Sequence, residues 1–356
     1  MGGEVTMGLV LSVDDKVFGE LLHDFYNVMK LERENEAAIL AETIDAMKNA
    51  SESEEERITA DLLHIRYQVM RNEVRTAEEL LEQFEARRHS LSRQNAYFYH
   101  YFKGQILFKK KKWKEAIRYY EYAENYMTEE EEKADFYYKL ANAYYQTYIP
   151  ALSALHTTKA LSFAAVHKQQ LHLAKCKLLL GLNHMEIRNF EQAERNLREV
   201  LDCQPAPHET SLDLTSMVHH NLGLLCFVQH LFDEAVNHFE KAVHSDPCTH
   251  YMKSLYYLTE SCFRANRIQD AMHYYHLGFA KSKEEGDVHY QWAFAMLHKQ
   301  FVDRDSFEAV WTQGIDYFEA TGEKDSVQYY SLRMAEYYML KGEEEKANHY
   351  YRLAIQ

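Results

Sequence analysis

Three features make this chain all-α: a shortage of glycine and proline, apolar residues at helical intervals, and small residues paired twelve positions apart that keep returning. Twelve glycines and four prolines in 356 residues are too few for the tight turns of a sheet protein. Apolar types at 46% and aromatics at 13% supply a core and exclude a disordered chain. In "HHNLGLLCFVQHLFDEAVNHFEKA" (219–242), Leu222, Leu225 and Phe227 precede a polar break, and Phe232, Ala235, Val236, Phe239 and Ala242 follow it. That pattern predicts two helices of about a dozen residues joined by a short turn. Gly223 and Ala235 then stand where the helices cross, because bulkier side chains would hold the backbones apart.

The same spacing pairs Gly104 with Ala116, Ala141 with Ser153, Gly181 with Ala193, Thr259 with Ala271, and Ala335 with Ala347. Ala309 is read as the anchor of one further pair, with Leu297 in place of the small partner. The second anchors fall at 116, 153, 193, 235, 271, 309 and 347, separated by 37, 40, 42, 36, 38 and 38 residues. A period slightly above 34 with aromatics around each anchor resembles the tetratricopeptide repeat. "FKGQILFKKKKWKEAIRYYEYAE" (102–124) and "YYMLKGEEEKANHYYRLAIQ" (337–356) show it most clearly. About seven such pairs are expected over 96–356, stacked as a superhelix with a concave inner surface, since no pair buries its apolar face alone.

Residues 1–72 lack the period and read as a three-helix bundle. "SVDD" (12–15) is a capping-box start, and Phe18, Leu21, Leu22, Phe25 and Met29 form the apolar stripe after it. A second helix over 34–48 turns Ala37, Leu40, Ala41, Ile44 and Met47 inward. The acidic "SESEEER" (51–57) suits the positive end of a third helix dipole, with Ile58, Leu62, Leu63 and Val69 behind it. Residues 73–95 are expected to form a charged helical linker into the repeats.

Composition narrows the function. A net charge of −15 argues against direct nucleic-acid binding, which needs a basic face. The dense basic run Lys109 to Lys112 reads as a solvated turn between helices. Five cysteines (Cys176, Cys203, Cys226, Cys248 and Cys262) with no CxxC spacing read as reduced thiols in a cytoplasmic protein, without a disulfide framework or zinc site. No apolar run is long enough to predict a membrane span, and the N-terminus lacks the regions of a signal peptide. "MGGEVT" fits a myristoylation pattern, but one too short to redirect the reading. Phosphate-binding glycine loops, nucleophile elbows, HExxH and calcium loops are all missing. The pairs His219–His220 and His273–His276 lack an identifiable third ligand. No cofactor, metal or self-contained catalytic set is expected.

Five stretches carry a resemblance: "LLHIRYQVM" (62–70), "YFYHYFKGQILFKKKKWKEAI" (97–117), "EKADFYYKLANAYYQTY" (132–148), "GLNHMEIRNFEQA" (181–193) and "HHNLGLLCFVQHLFDEA" (219–235). Together they resemble the Rap family of bacterial response-regulator aspartate phosphatases and regulator-binding proteins, over nearly the whole chain. The resemblance implies that the bundle, helped by the first repeats, grips a two-component response regulator. It implies also that the repeats bind a short, secreted and re-imported Phr-type peptide, which shifts the bundle and releases the regulator. Peptide and regulator should then weaken one another reciprocally.

Phosphatase members of this family resemble one another in a glutamine late in the second bundle helix, whose amide would orient the attacking water. In "ETIDAMKNA" (42–50) that position is Ala46, flanked by Asp45 and Met47. A methyl group positions no water, so the resemblance implies regulator binding without efficient dephosphorylation. An aspartyl-phosphate phosphatase with its positioning group elsewhere, and a generic repeat scaffold without a peptide switch, are the alternatives. For peptide contacts the resemblance points to Asn221, whose amide both donates and accepts, to Asn183, and to Glu186, where many members have aspartate. Glu260, beside Thr259, would add negative charge for a basic peptide side chain. Phe25, Asp45 and, from the early repeats, Asp135 would join Ala46 at the regulator surface.

Overall fold

The computed structural model describes residues 15–31, 33–203, 214–245, 248 and 250–355. Among these there are eighteen α-helices, two short 3-10 helices and no strand. They form two compact units, one ending at Leu214 and one starting at Thr215.

The first unit opens with α1 (Asp15–Lys30), α2 (Glu34–Lys48) and α3 (Glu54–Met70). Phe18, Leu22, Phe25 and Met29 of α1 pack with Ala37, Ala41 and Ile44 of α2 and with Leu62, Leu63 and Ile65 of α3. Ser53 caps α3 by accepting the Glu56 backbone N–H, and three glutamates fill its first turn, satisfying free donors and the dipole together. The "SVDD" start and the "MGGEVT" pattern lie outside the residues whose side chains are described.

The segment expected as one charged helix is two elements, α4 (Val74–Glu82) and a 3-10 turn at Glu85–Ser90. Phe84 is buried between them, and "EARRHS" has no apolar face to hold a further α-turn on the core. Three pairs follow in this unit: α5 (Arg93–Lys109) with α6 (Trp113–Glu124), α7 (Lys133–Gln146) with α8 (Pro150–Val166), and α9 (Gln170–Glu186) with α10 (Phe190–Val200). The second unit holds four more: α11 (Leu214–Val228) with α12 (Phe232–Val243), α13 (Tyr251–Arg264) with α14 (Ile268–Glu284), α15 (Val288–Phe301) with α16 (Phe307–Ala320), and α17 (Lys324–Leu340) with α18 (Glu344–Ala354). Its core includes Phe239, Leu258, Phe294, Trp311, Phe318 and Met334.

Each of these seven pairs turns through one residue in the left-handed region: Lys111, Tyr148, Arg188, His230, Asn266, Ser306 and Gly342. Five positions later comes a residue with essentially no exposed surface: Ala116, Ser153, Ala193, Ala235, Ala271, Trp311 and Ala347. Six of the expected anchors therefore stand where the spacing put them. Ala309 does not, being exposed; Trp311 takes its place and donates its indole N–H to the Met296 carbonyl at 2.8 Å. The cause is the connection, which has five residues between α15 and α16 where every other pair has three.

The α3–α4 junction obeys the same rule. Three residues separate the helices, Asn72 is left-handed and Ala77, five positions on, is buried. The third bundle helix is thus also the first helix of a pair, hidden from the spacing because Ile65 stands where a small residue was sought.

The glycines serve the second helix one turn past its anchor. A Cβ on Gly223 would lie 2.7 Å from the Phe239 ring, one on Gly104 2.6 Å from Tyr120, and one on Gly181 2.8 Å from Leu197. Phe239 is fully buried and has nowhere to swing. Gly223→Ala should therefore destabilise the protein by about 1–3 kcal/mol, seen as a lower urea midpoint. Among the described residues no helix is long and apolar enough to cross a membrane.

Candidate functional site

Asp45 and Ala46 lie side by side on the exposed face of α2, with the Asp45 carboxylate 3.8 Å from the His64 ring on α3. Met47 is partly buried against the core. Gln68 is buried on α3 with its amide 2.9 Å from His64 Nε2, so it presents nothing to a partner. An exposed amide does stand one turn beyond Ala46, at Asn49, the residue that ends α2. Phe25 is not at this surface. It is fully buried, its ring 5.8 Å from that of Tyr67, and acts in packing rather than docking.

Asp135 is likewise interior. It accepts the Tyr101 hydroxyl at 2.5 Å, and Lys139 and His172 stand 3.5 Å away with Arg66 at 3.9 Å. Burial alone would raise its pKa, but Lys139, His172 and Arg66 outweigh it and hold the carboxyl well below the ordinary range. Nearby, Glu132 accepts the Tyr26 hydroxyl and pairs with Lys30 at 2.9 Å. These carboxylates join α7 and the turn before it to α1 and α3. Asp135 therefore faces the protein's own cations, not an outside partner.

The four residues assigned to peptide contact divide between the units. Asn183 is buried in the first, where its amide donates to Ser153 Oγ and to the Leu179 carbonyl, each at 2.9 Å. Its Oδ1 is buried without a hydrogen-bond partner. Glu186 is exposed, 3.4 Å from the Tyr145 hydroxyl. In the second unit Asn221 is largely buried and donates to the Met217 carbonyl one turn back at 2.8 Å. Both asparagines spend donors on backbone carbonyls of their own helix, because neighbouring helices exclude the water that would otherwise serve them. Glu260 has no exposed surface at all; Arg264 and Arg333 each lie 2.8 Å from it and the Tyr329 hydroxyl 3.2 Å. Its single charge is shared between two guanidiniums inside the unit and charges no outer surface. Glu260→Gln should cost about 2–4 kcal/mol by urea denaturation, less than for a wholly buried pair since both arginines keep some solvent.

His220, passed over in the sequence as half of an adjacent histidine pair, is a buried structural group. Its Nδ1 lies 2.8 Å from Ser254 Oγ, whereas His219 meets His238 at 3.1 Å. Burial, then Lys253 and His250, pull its pKa down to about 3. The unfolded chain takes up that proton near pH 6.5, so this contribution is complete above pH 6.5 and declines as pH falls toward 3. His220→Gln should flatten the acid-side loss of stability between pH 6 and 4 by about one proton, or about 1.4 kcal/mol per pH unit, in parallel denaturation series. Among the described residues no three His, Cys, Asp or Glu side chains are grouped to hold a metal ion.

The close-crossing pairs and left-handed connections are those of tetratricopeptide-like helix pairs, and the tetratricopeptide repeat family profile matches residues 62–130, a span that begins in α3 and takes in the α3–α4 pair. More particularly, the homologues of this chain are Rap proteins, alike at modest identity over most of its length. It is 24% identical to regulatory protein RapC of Bacillus subtilis (strain 168), over 92% of this chain and 90% of RapC. It is also 24% identical to response regulator aspartate phosphatase I of the same strain, over 94% of this chain and 89% of that protein. The crystal structure of a Rap protein complexed with competence and sporulation factor matches the fold with a TM-score of 0.75 at 20% identity, covering 96% of this chain and 97% of that one.

Proposed function

We propose that this chain is a cytoplasmic, peptide-controlled regulator-binding protein, which holds a two-component response regulator with its N-terminal helices and inhibits the regulator's output without chemistry. The observation that carries the binding-only reading is Ala46, exposed on α2 where a phosphatase of this kind would need an amide. Likeness over most of the chain to RapC and to response regulator aspartate phosphatase I supports a response regulator as the partner. Likeness in fold to a Rap protein complexed with competence and sporulation factor supports a short peptide as the releasing ligand. Asp45 and Ala46 are the regulator-facing residues of this reading, and Glu186, exposed in the first unit, its peptide-facing one.

One specific feature favours dephosphorylation instead, the exposed Asn49 amide one turn beyond Ala46. The two readings separate when phosphorylated response regulators recovered by pull-down are incubated with the protein. The expected result is a stable complex with phosphate lost no faster than from the regulator alone. Accelerated loss, abolished by Asn49→Ala, would establish the phosphatase reading. A Phr-type peptide should dissociate the complex, and Glu186→Ala should weaken that peptide by about tenfold, the worth of one charge-assisted hydrogen bond. A complex indifferent to every such peptide would reduce the protein to a scaffold.

A further inference from the structure

We propose that the outer face of α8 is a self-association surface, on which a second copy of this chain packs its own α8 antiparallel across a two-fold axis. This inference is independent of the regulator and peptide reading. What distinguishes α8 is a lack of charge. The second helices of the other six pairs each carry three to five charged residues, whereas "PALSALHTTKALSFAAV" (150–166) carries one, Lys159. That one lies against α7, its ammonium 5.0 Å from the centre of the Tyr137 ring. His156, the other titratable group, stacks on Tyr144 at 5.3 Å, and burial lowers its pKa, which keeps it neutral.

What α8 exposes has the spacing of a helical seam. Ala151, Leu155, Thr158, Ser162 and Ala165 are all exposed, at alternating steps of four and three residues that line up along one side of a helix. The two hydroxyls ask little of water: Thr158 donates to the Ala154 carbonyl at 2.8 Å and Ser162 to that of Lys159 at 2.7 Å. Leu155 is 51% exposed, and beyond the two ends of the seam Tyr148 is 72% and Val166 75% exposed. Single exposed apolar residues are ordinary, but a continuous uncharged strip along a whole helix marks an interaction site.

Charge and size select the occupant. Each copy carries a net −15, so two copies repel except through a face that holds no charge. Small residues at four of the five seam positions let a partner helix approach to about 8 Å. Antiparallel packing centred on Thr158 sets Leu155 of each copy over Ser162 of the other and Ala151 over Ala165, so the one large side chain of the seam meets a small one. A closed two-fold contact uses the same patch twice and must be self-complementary, as this strip is. A lipid surface would be met by bulky side chains, not by alanine, serine and threonine. One pair of helices buries less than a standard interface, so the dimer is weak, with a Kd on the order of 10–100 μM.

The test is sedimentation velocity of the full chain over about 2 to 200 μM, a range that brackets this Kd. The sedimentation coefficient should climb from that of a monomer toward that of a dimer. Leu155→Glu, which sets two carboxylates into the seam, should weaken the dimer at least about tenfold. Ser162→Leu fills the seat that Leu155 of the other copy needs and should also weaken it about tenfold, whereas unspecific apolar sticking would tighten. Leu201→Glu, at another exposed leucine of this unit, should change nothing, and circular dichroism verifies that each variant is folded. A monomer throughout, a dimer that Leu155→Glu leaves intact, or one that Ser162→Leu tightens overturns the assignment. If that monomer floats with phosphatidylcholine vesicles, the face belongs to a lipid surface instead.

Discussion

Everything in this fold depends on how closely two helices of a pair can cross. A three-residue connection reverses the chain only if its middle residue goes left-handed, and the helix that follows must bring a small residue inward five positions later. Ala116, Ala193, Ala235, Ala271 and Ala347 leave no space for a larger group. One turn further on, a bulky side chain such as Tyr120 or Phe239 lies over the bare backbone of a glycine on the first helix. The α15–α16 pair meets the same demand by another route. Its connection is longer by two residues, a tryptophan fills the anchor position, and the indole N–H is satisfied by the Met296 carbonyl.

How much of this was legible in the sequence follows from how local each signal is. Small residues twelve apart and apolar residues three or four apart are local, and they located six anchors and the bounds of α2, Glu34–Lys48. The Ala309 anchor went astray because a fixed count cannot see an altered connection, and α3–α4 was hidden by Ile65. Site residues fared worse for a different reason. Asp135, Asn183, Asn221 and Glu260 are polar and sit on helices, so from sequence they belong on a surface. What buries Glu260 is Tyr329 and Arg333, about seventy residues away, and what buries Asp135 includes Tyr101 and Arg66. No local pattern announces such neighbours. Asp45, Ala46 and Glu186 are exposed and remain available to partners.

Among the described residues, the interior of each unit holds an ionic knot. In the first, Tyr26, Lys30 and Arg66 meet Glu132 and Asp135; in the second, Arg264, Arg333 and Tyr329 meet Glu260. Such knots add little net stability, since desolvation offsets most of the attraction. They do discriminate between arrangements. A slipped helix would leave a charge without its partner, whereas a slipped apolar seam merely repacks. For a protein proposed to act by moving its leading helices, contacts of this kind define the seated position sharply while leaving it separable, because water can take over each charge when the helices part.

The left-handed connections have a further consequence. Of the eleven among the described residues, counting the turns between pairs, Gly286, Gly322 and Gly342 are glycines; the others are Asn72, Lys111, Tyr148, Lys168, Arg188, His230, Asn266 and Ser306. A side chain in that conformation costs about 1 kcal/mol that glycine would not. The molecule therefore keeps a small amount of tension at eight of these eleven bends instead of relaxing it. Spread over separate turns, that cost is local, so a glycine placed at any one of them would relieve its own hairpin and leave the others as they are.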